Sequence, residues 1–307
     1  MLLYRYSIAT IGGMALKVNL ELLAELVAFK HYGTLSATAE HLMITQPTVT
    51  RGMKRLEEEL GVTLFDRSIS NHIKLNDTGL LAANEAAKLL KEVDDFTDKI
   101  LNFDRLKDKF TVGSMIPGPL GFLNALKDQI AVQPVINWEL VNPENVAAEL
   151  SNLKEKVIFT DHEIINEEFE SLYLGREYLK LEIDPFNPLA QKEAVTFKDL
   201  TGLTFLVLRD VGTWRGIVED NIPQADFLSQ NSVNAMTTIS QYSRFPFFVS
   251  NLSQNLPDTV ERLKGGDRVM VKIDDPNNQM EIYGTYLKSE RRTVQPLLKA
   301  MSQAWPK

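Results

Sequence analysis

The apolar positions between Ser36 and Leu60 (SATAEHLMITQPTVTRGMKRLEEEL) fall at helical spacing. Val49, Met53, Leu56 and Leu60 are four, three and four residues apart, which is one buried stripe of a helix. The opposite face carries Gln46, Thr48, Thr50, Arg51, Lys54 and Arg55. The stretch before it, about Ser36 to His41, predicts a shorter helix opened by Ser36, whose hydroxyl can accept from a first-turn N–H. Ala37, Ala39 and Leu42 are small or apolar enough to lie against a neighbouring helix. Met43-Ile44-Thr45 is the break. Thr45 can cap the second helix, and Pro47 sits in its first turn, where a missing N–H costs little. One reading is an amphipathic hairpin with a solvated polar face. The other is a helix-turn-helix, because a small-residue helix, a tight turn and a helix with an acid-free polar start occur in that order. Amides read adenine edges, Arg reads guanine and cations hold phosphates, so this face suits a major groove.

Around this pair, Asn19 to His31 predicts a helix with Leu20, Leu23, Val27 and Phe29 available to a core, stopped near Gly33. Gly61 to Ser68 and His72 to Leu75 predict a small β-hairpin, a wing with its tip at Ser68 to Asn71 and with Arg67, His72 and Lys74 exposed. A cationic wing fits the DNA backbone or minor groove. Asn76 can cap a helix from Asp77 to Leu106 whose apolar residues recur at gaps of three and four. It packs on its own chain or pairs with a second copy.

Beyond Asp108, strands are expected at 109–113, 136–141, 156–160, 204–208, 245–250 and 280–287. Helices are expected at 120–130, 143–154, 213–219, 256–263 and 293–304. Strand alternating with helix implies a parallel, doubly wound sheet.

The segment from Leu20 to about Leu90 resembles the N-terminal winged helix-turn-helix of the LysR-type transcriptional regulators. The residues carrying the resemblance are LELLAELVAFKHYGTLSATAEHL, ITQPTVTRGMKRLEEELGVTLFDR and IKLNDTGLLAANEAAKLL. Gly52 departs from the family, which has a longer polar residue there. A Gly in a helix interior costs on the order of 1 kcal/mol relative to Ala, and it removes a possible DNA contact. The resemblance implies that Gln46, Pro47, Thr48, Thr50 and Arg51 meet DNA. It implies that Thr34 and Ser36 meet the backbone at the start of the first helix, and that Arg55 and Arg67 touch phosphates. Lys54 and His72 complete the expected DNA-binding set.

The architecture implied is α/β: residues 1–17 a disordered lead, 18–76 the winged helix-turn-helix, 77–107 a linker and dimerisation helix, and 108–307 a two-lobed, periplasmic-binding-protein-like effector domain. Lobe I takes about 108–182 and 270–307, lobe II about 183–269. For the long helix the resemblance implies antiparallel pairing into a homodimer, or a dimer of dimers, on a partly palindromic double-stranded DNA operator. Contact with RNA polymerase is left open. Before the strand near Phe248, where the family is Gly-rich, this chain has Ser243-Arg244-Phe245-Pro246-Phe247.

A small-molecule effector in such a cleft meets loops at strand C-terminal ends. By position the candidates are Ser114, Met115, Ile116, Thr160, Arg209, Ser232 and Phe248. Arg209 could hold a carboxylate bidentately.

The 307-residue chain carries a net charge of −8, which argues against DNA binding over the whole surface but not against a local patch, since screening acts over roughly 10 Å. Thr45 to Leu56 holds three cations and no acids, and Glu57, Glu58 and Glu59 follow as a solvated face or dimer contact. Cysteine is absent, which removes disulfides, thiolate catalysis and cysteine zinc sites and fits a reducing cytoplasm. No metal or cofactor is expected. Asp161-His162-Glu163 are chain neighbours that cannot all point one way, and no Walker loop or G-x-S-x-G occurs. Catalysis is therefore not expected. No run approaches the roughly 20 apolar residues that span a bilayer. The lead matches a signal peptide poorly, and Met14 is an alternative start. The rival reading is a solute-binding protein without DNA-binding function.

Overall fold

The computed structural model describes residues 19–69, 72–130, 132–254 and 268–306, together with a backbone pairing of Thr10–Ile11 (β1) with Met14–Ala15 (β2). The side chains of Ser68, Ile69 and His72 lie outside the description. So do the rest of the expected disordered lead and the expected helix at 256–263. The chain divides into two compact units, Met1–Asp98 and Lys99–Lys307.

In the first unit, Asn19 caps helix α1 (Leu20–Tyr32) by accepting from the Glu21 N–H at 2.9 Å. Gly33 closes it at φ 75°, a left-handed conformation that favours glycine. Helix α2 is Leu35–His41, α3 is Gln46–Leu60, and the hairpin is β3 (Phe65–Ile69) with β4 (His72–Leu75). Helix α4 runs Asp77–Leu106. Leu22, Leu23, Leu26, Phe29, Val49, Met53, Leu56, Leu64 and Phe65 form one core with Ala83 and Ala86 of α4. Each large side chain so buried contributes about 1.5–3 kcal/mol. Leu20, expected in that core, lies in the first turn and is 39% exposed; Leu22 and Leu26 take its place. Phe29 and Phe65 meet edge to face at 5.2 Å, which ties the hairpin to α1. Asn76 accepts from the Gly79 N–H at 2.8 Å and donates to the Thr63 carbonyl at 2.9 Å, joining α4 to the chain before β3.

The second unit has two lobes. In lobe I the elements are β5 (Phe110–Ser114), α5 (Pro117–Leu126), β6 (Pro134–Ile136), α6 (Val146–Ser151), β7 (Val157–Thr160) and β8 (Phe169–Glu177). Lobe II holds β9 (Leu179–Ile183), β10 (Ala194–Val195), β11 (Thr204–Leu208), α7 (Trp214–Asn221), β12 (Asp226–Gln230), α8 (Val233–Tyr242), β13 (Phe247–Ser250) and β14 (Val269–Ile273). The chain returns to lobe I through β15 (Met280–Leu287) and α9 (Arg291–Ala304).

The lobe I sheet has the order β6-β5-β7-β15-β8. Lobe II has β10-β14-β9-β13, and the Leu206 N–H donates to the Pro246 carbonyl at 2.9 Å, bringing the parallel β11–β12 pair alongside. The sheets are mixed, not parallel throughout. Strands β8–β9 leave lobe I and β14–β15 return, so β15 runs antiparallel to β7 and β8, and β14 antiparallel to β9.

Two buried amides hold these crossovers. Asn251 accepts from the Tyr178 N–H at 3.0 Å and donates to the Arg176 carbonyl at 2.9 Å. Asn278 accepts from the Leu179 N–H at 3.0 Å and donates to the carbonyls of Leu179 and Ile273 at 2.8 and 2.9 Å.

Glu155, just before β7, is buried and accepts from Asn137 at 3.1 Å through Oε1; among the described residues its Oε2 completes no hydrogen bond. Burial pushes its carboxyl up from 4.5 to about 7. The folded state therefore holds a proton that the unfolded chain releases, and stability falls as pH rises from about 4.5 through 7. Glu155→Gln, with no charge to bury, is expected to match the wild type in melting temperature at pH 4.5. At pH 8 it should exceed it by on the order of 2 kcal/mol of stability. Equal differences at both pH values would show that another group sets the slope.

Candidate nucleic-acid interface

Helix α3 is anchored on one side and free on the other. Val49, Met53 and Leu56 are almost fully buried, whereas Gln46, Pro47, Thr50, Arg51, Lys54 and Arg55 are exposed and Thr48 is partly so. Gln46, Thr50 and Lys54 form one line at four-residue spacing, and Pro47, Arg51 and Arg55 form the next. Thr45 stands at the N-cap, but its hydroxyl bonds the Thr48 hydroxyl at 2.8 Å rather than a backbone N–H. Thr50 donates to the Gln46 carbonyl at 3.0 Å.

The start of α2 differs from the sequence expectation. Its cap is Thr34, which accepts from the Ala37 N–H at 3.2 Å, and the helix begins one residue earlier, at Leu35. That frees the Ser36 hydroxyl, which donates to Gln46 Oε1 at 3.1 Å. Gly52 faces Glu25 of α1. It lies on the buried side of α3, where a Cβ would stand 2.1 Å from Glu25 Oε2, so a longer side chain there would have to displace the Glu25 carboxylate.

The acidic run after the cations does more than face solvent. Glu59 pairs with Arg55 at 2.8 Å, and Glu58 stands 3.8 Å from Lys54. Glu57 accepts from the N–H groups of Leu64 and Phe65 at 2.7 and 3.2 Å and grips Arg67 at 2.7 Å. Burial opposes its ionisation, but the Arg67 and backbone hydrogen bonds outweigh it and hold the carboxyl below its ordinary value. Arg67 also lies over the Phe65 ring at 5.4 Å. One carboxylate thus ties the start of the wing to the last turn of α3. Among the described residues, Arg51 is in no ion pair. Lys74 is exposed on β4; the His72 side chain lies outside the description.

In the second unit the structure brings together the loops after β5, β7, β11 and β12. The Met115 N–H donates to the Phe159 carbonyl at 3.0 Å, and the Arg209 N–H to the Gln230 carbonyl at 2.8 Å. Across the lobes Thr213 donates to Asp161 at 2.7 Å. Gly212 sits so close to Met115 that a Cβ would lie 2.0 Å from its carbonyl oxygen. Several expected effector residues support these loops instead of lining a cleft. Ser114 is fully buried and its hydroxyl donates to the Ile116 carbonyl at 2.6 Å. Thr160 is fully buried against His162 and Thr285. Met115 and Ile116 are core residues, and Phe248 stacks on Phe205 at 4.8 Å. Ser114, Met115, Ile116 and Thr160 are buried where β5 and β7 end against the lobe I core, and Phe248, on β13, is partly buried against the lobe II core. Arg209 and Ser232 are exposed at the loop rims, with Ser232 capping α8. His162 bonds its neighbour Asp161 at 2.6 Å, and among the described residues no group could hold a metal ion. Among them too, no helix is long and apolar enough to cross a membrane.

Residues 20–80 match the family described as "Bacterial regulatory helix-turn-helix protein, lysR family". The chain is 24% identical over 254 residues to a "Probable RuBisCO transcriptional regulator" of Trichormus variabilis, covering 76% of this chain and 74% of that protein. It is 27% identical over 206 residues to the "Hydrogen peroxide-inducible genes activator" of Dickeya chrysanthemi, covering 63% and 64%. Its fold is similar to that of full-length OxyR C199D from Pseudomonas aeruginosa, with a TM-score of 0.50 at 16% identity over 93% of this chain and 100% of that one.

The chain carries a LysR-family DNA-binding domain and is similar over most of its length to transcriptional regulators. The named relatives are regulators rather than enzymes. The rival solute-binding reading leaves the matched residues 20–80 without a role.

Sequence reasoning about this chain missed Glu57, although Glu57 stands four residues after Met53 and three before Leu60, on the edge of the buried stripe. Removing its carboxylate leaves two part-buried N–H groups unpaired. Glu57→Ala is expected to cost about 2–3 kcal/mol at pH 7 and to speed hydrogen exchange at the Leu64 and Phe65 amides. The cost should shrink as pH falls through the lowered folded-state value, because the bound carboxylate is then lost in the wild type too. Unchanged exchange at both amides would remove Glu57 from this role.

Proposed function

We propose that α3 enters the major groove of an operator and that its exposed face does the reading. Gln46, Pro47, Thr48, Thr50 and Arg51 meet base edges or the adjoining backbone. Thr34, Ser36, Lys54, Arg55, Arg67 and His72 serve the phosphates. The observation that carries this is the face itself: an unbroken exposed strip of amide, hydroxyls and a cation on a helix locked to its domain by Val49, Met53, Leu56 and Glu57. Arg51 has the strongest claim, since Arg55 and Arg67 already face carboxylates of their own chain.

The regulator works in the cytoplasm as a homodimer, or dimer of dimers, paired through α4, whose Leu81, Phe96, Ile100 and Phe103 are exposed. A small-molecule effector acts between the lobes, where the loops carrying Arg209, Gly212 and Ser232 approach those carrying Met115 and Asp161. Binding shifts the lobe geometry only as far as the effector prefers one arrangement over the other. The chain has no catalytic role.

The test is retention of the DNA upstream of the regulator's own gene in a gel shift across a salt series. Arg51→Ala is expected to weaken retention and to reduce the slope of log affinity against log salt by about one, as loss of one phosphate contact does, or to relax one base position. Unchanged affinity, slope and base preference would take Arg51 out of the interface; absence of any sequence-specific retention by the wild type would overturn the reading.

A further inference from the structure

The two lobes of the second unit close around one carboxylate. Glu177 ends β8, immediately before the first crossover, and is 2% exposed. Its Oε1 lies against the first turn of α5, 2.1 Å from where a Cβ on Gly118 would stand. From lobe II the Ser250 hydroxyl and the Trp214 indole approach it. Both stand near enough to favour its ionised form, yet neither completes the bond: among the described residues Glu177 Oε2 and Trp214 Nε1, the latter on a residue 5% exposed, have no well-aligned partner, and Ser250 Oγ donates to Ser253.

A buried carboxylate and a buried indole N–H left open side by side are costly, and native proteins rarely keep such groups without a purpose. A carboxylate only accepts, so the complement to Glu177 is a donor, best a cationic one. The indole N–H only donates, so its complement is a neutral oxygen. An anion is disfavoured here. The start of α5 would ordinarily attract one, but Glu177 occupies that place, and Pro117 and Pro119 remove two of the N–H groups. Burial pushes the Glu177 carboxyl up, so a cationic partner would also supply the countercharge its ionised form lacks.

We propose that Glu177 and Trp214 form the recognition point for a small primary ammonium compound bearing a hydroxyl or carbonyl oxygen, bound between the lobes. The ammonium bonds Glu177, and the oxygen accepts from Trp214 Nε1. This rests on the effector reading above and names the effector's chemical class. Entry requires the lobes to part at the contact of Gly212 with Met115 and at the Thr213–Asp161 hydrogen bond. Ligand binding and lobe geometry are thereby coupled.

The experiment is thermal melting of the full-length regulator in ethanolammonium chloride, sodium glycolate and sodium chloride at matched ionic strength. Ethanolammonium is expected to raise the wild-type melting temperature by about 2 °C or more over sodium chloride, as saturable binding to the folded form does. Glycolate should give no rise. Glu177→Gln, which keeps the side-chain shape, should abolish the shift, and Trp214→Phe, which removes only the indole N–H donor, should reduce it. No shift with ethanolammonium, an equal shift with glycolate, or a shift that survives Glu177→Gln would each overturn the proposal. Gel retention of the operator by the same protein reads DNA binding separately, so retention without an ammonium shift sinks this inference alone. A glycolate shift that alters retention would uphold an effector cleft and reject its chemical class.

Discussion

The first unit depends on a single side chain placed where α3 turns away from its polar face. Glu57 holds the backbone of Leu64 and Phe65 and the guanidinium of Arg67 at once. Without that clasp the apolar stripe of α3 would still pack, but nothing charged would fix the hairpin to the helix. With it, Phe65 is presented to Phe29, Arg67 is aimed along the ring of Phe65, and Asn76 bonds the chain just before β3. The face of α3 thus stands on a frame set by hydrophobic burial and closed by charge-assisted hydrogen bonds, which are stronger than neutral ones.

Local pairing also solves a charge problem. An acidic chain repels DNA at long range, and screening over roughly 10 Å leaves only the nearest charges to matter. Two of the three cations on α3 lie next to carboxylates one turn on, and these exposed pairs are individually weak. They can therefore yield to phosphates with little loss. In the second unit, the amides of Asn251 and Asn278 fix the crossover strands, while the groups between the lobes are left less satisfied. Firm hinges beside a poorly satisfied interlobe contact are the makings of two lobe arrangements close in energy.

What was legible in the sequence was what local spacing and punctuation encode. The stripe of Val49, Met53 and Leu56, the stop at Gly33, Pro47 in the first turn and the cap at Asn76 all act within a few residues, and all appear in the structure. Strands β8 and β9 escaped because their pattern is broken by buried Glu177 and Glu182, acids at positions where an apolar residue would announce a strand. Strand β12 and helix α8 escaped because their sequence is mostly polar and half-exposed. Ser114 and Thr160 are expected to meet a ligand because they stand at strand C-terminal ends, where such clefts take their lining. Their partners, Ile116 and Thr285, are set by loop folding and by a strand far along the chain, which spacing does not reveal.

The central claim is that α3 lies in the major groove, and methylation protection of the bound operator tests it most directly. Guanine N7 faces the major groove and adenine N3 the minor. The account expects guanines to be protected in two patches about one helical turn apart or a multiple of it, with the protection lost in Arg51→Ala. Protection confined to adenines, or none over a sequence the regulator demonstrably retains, would contradict it.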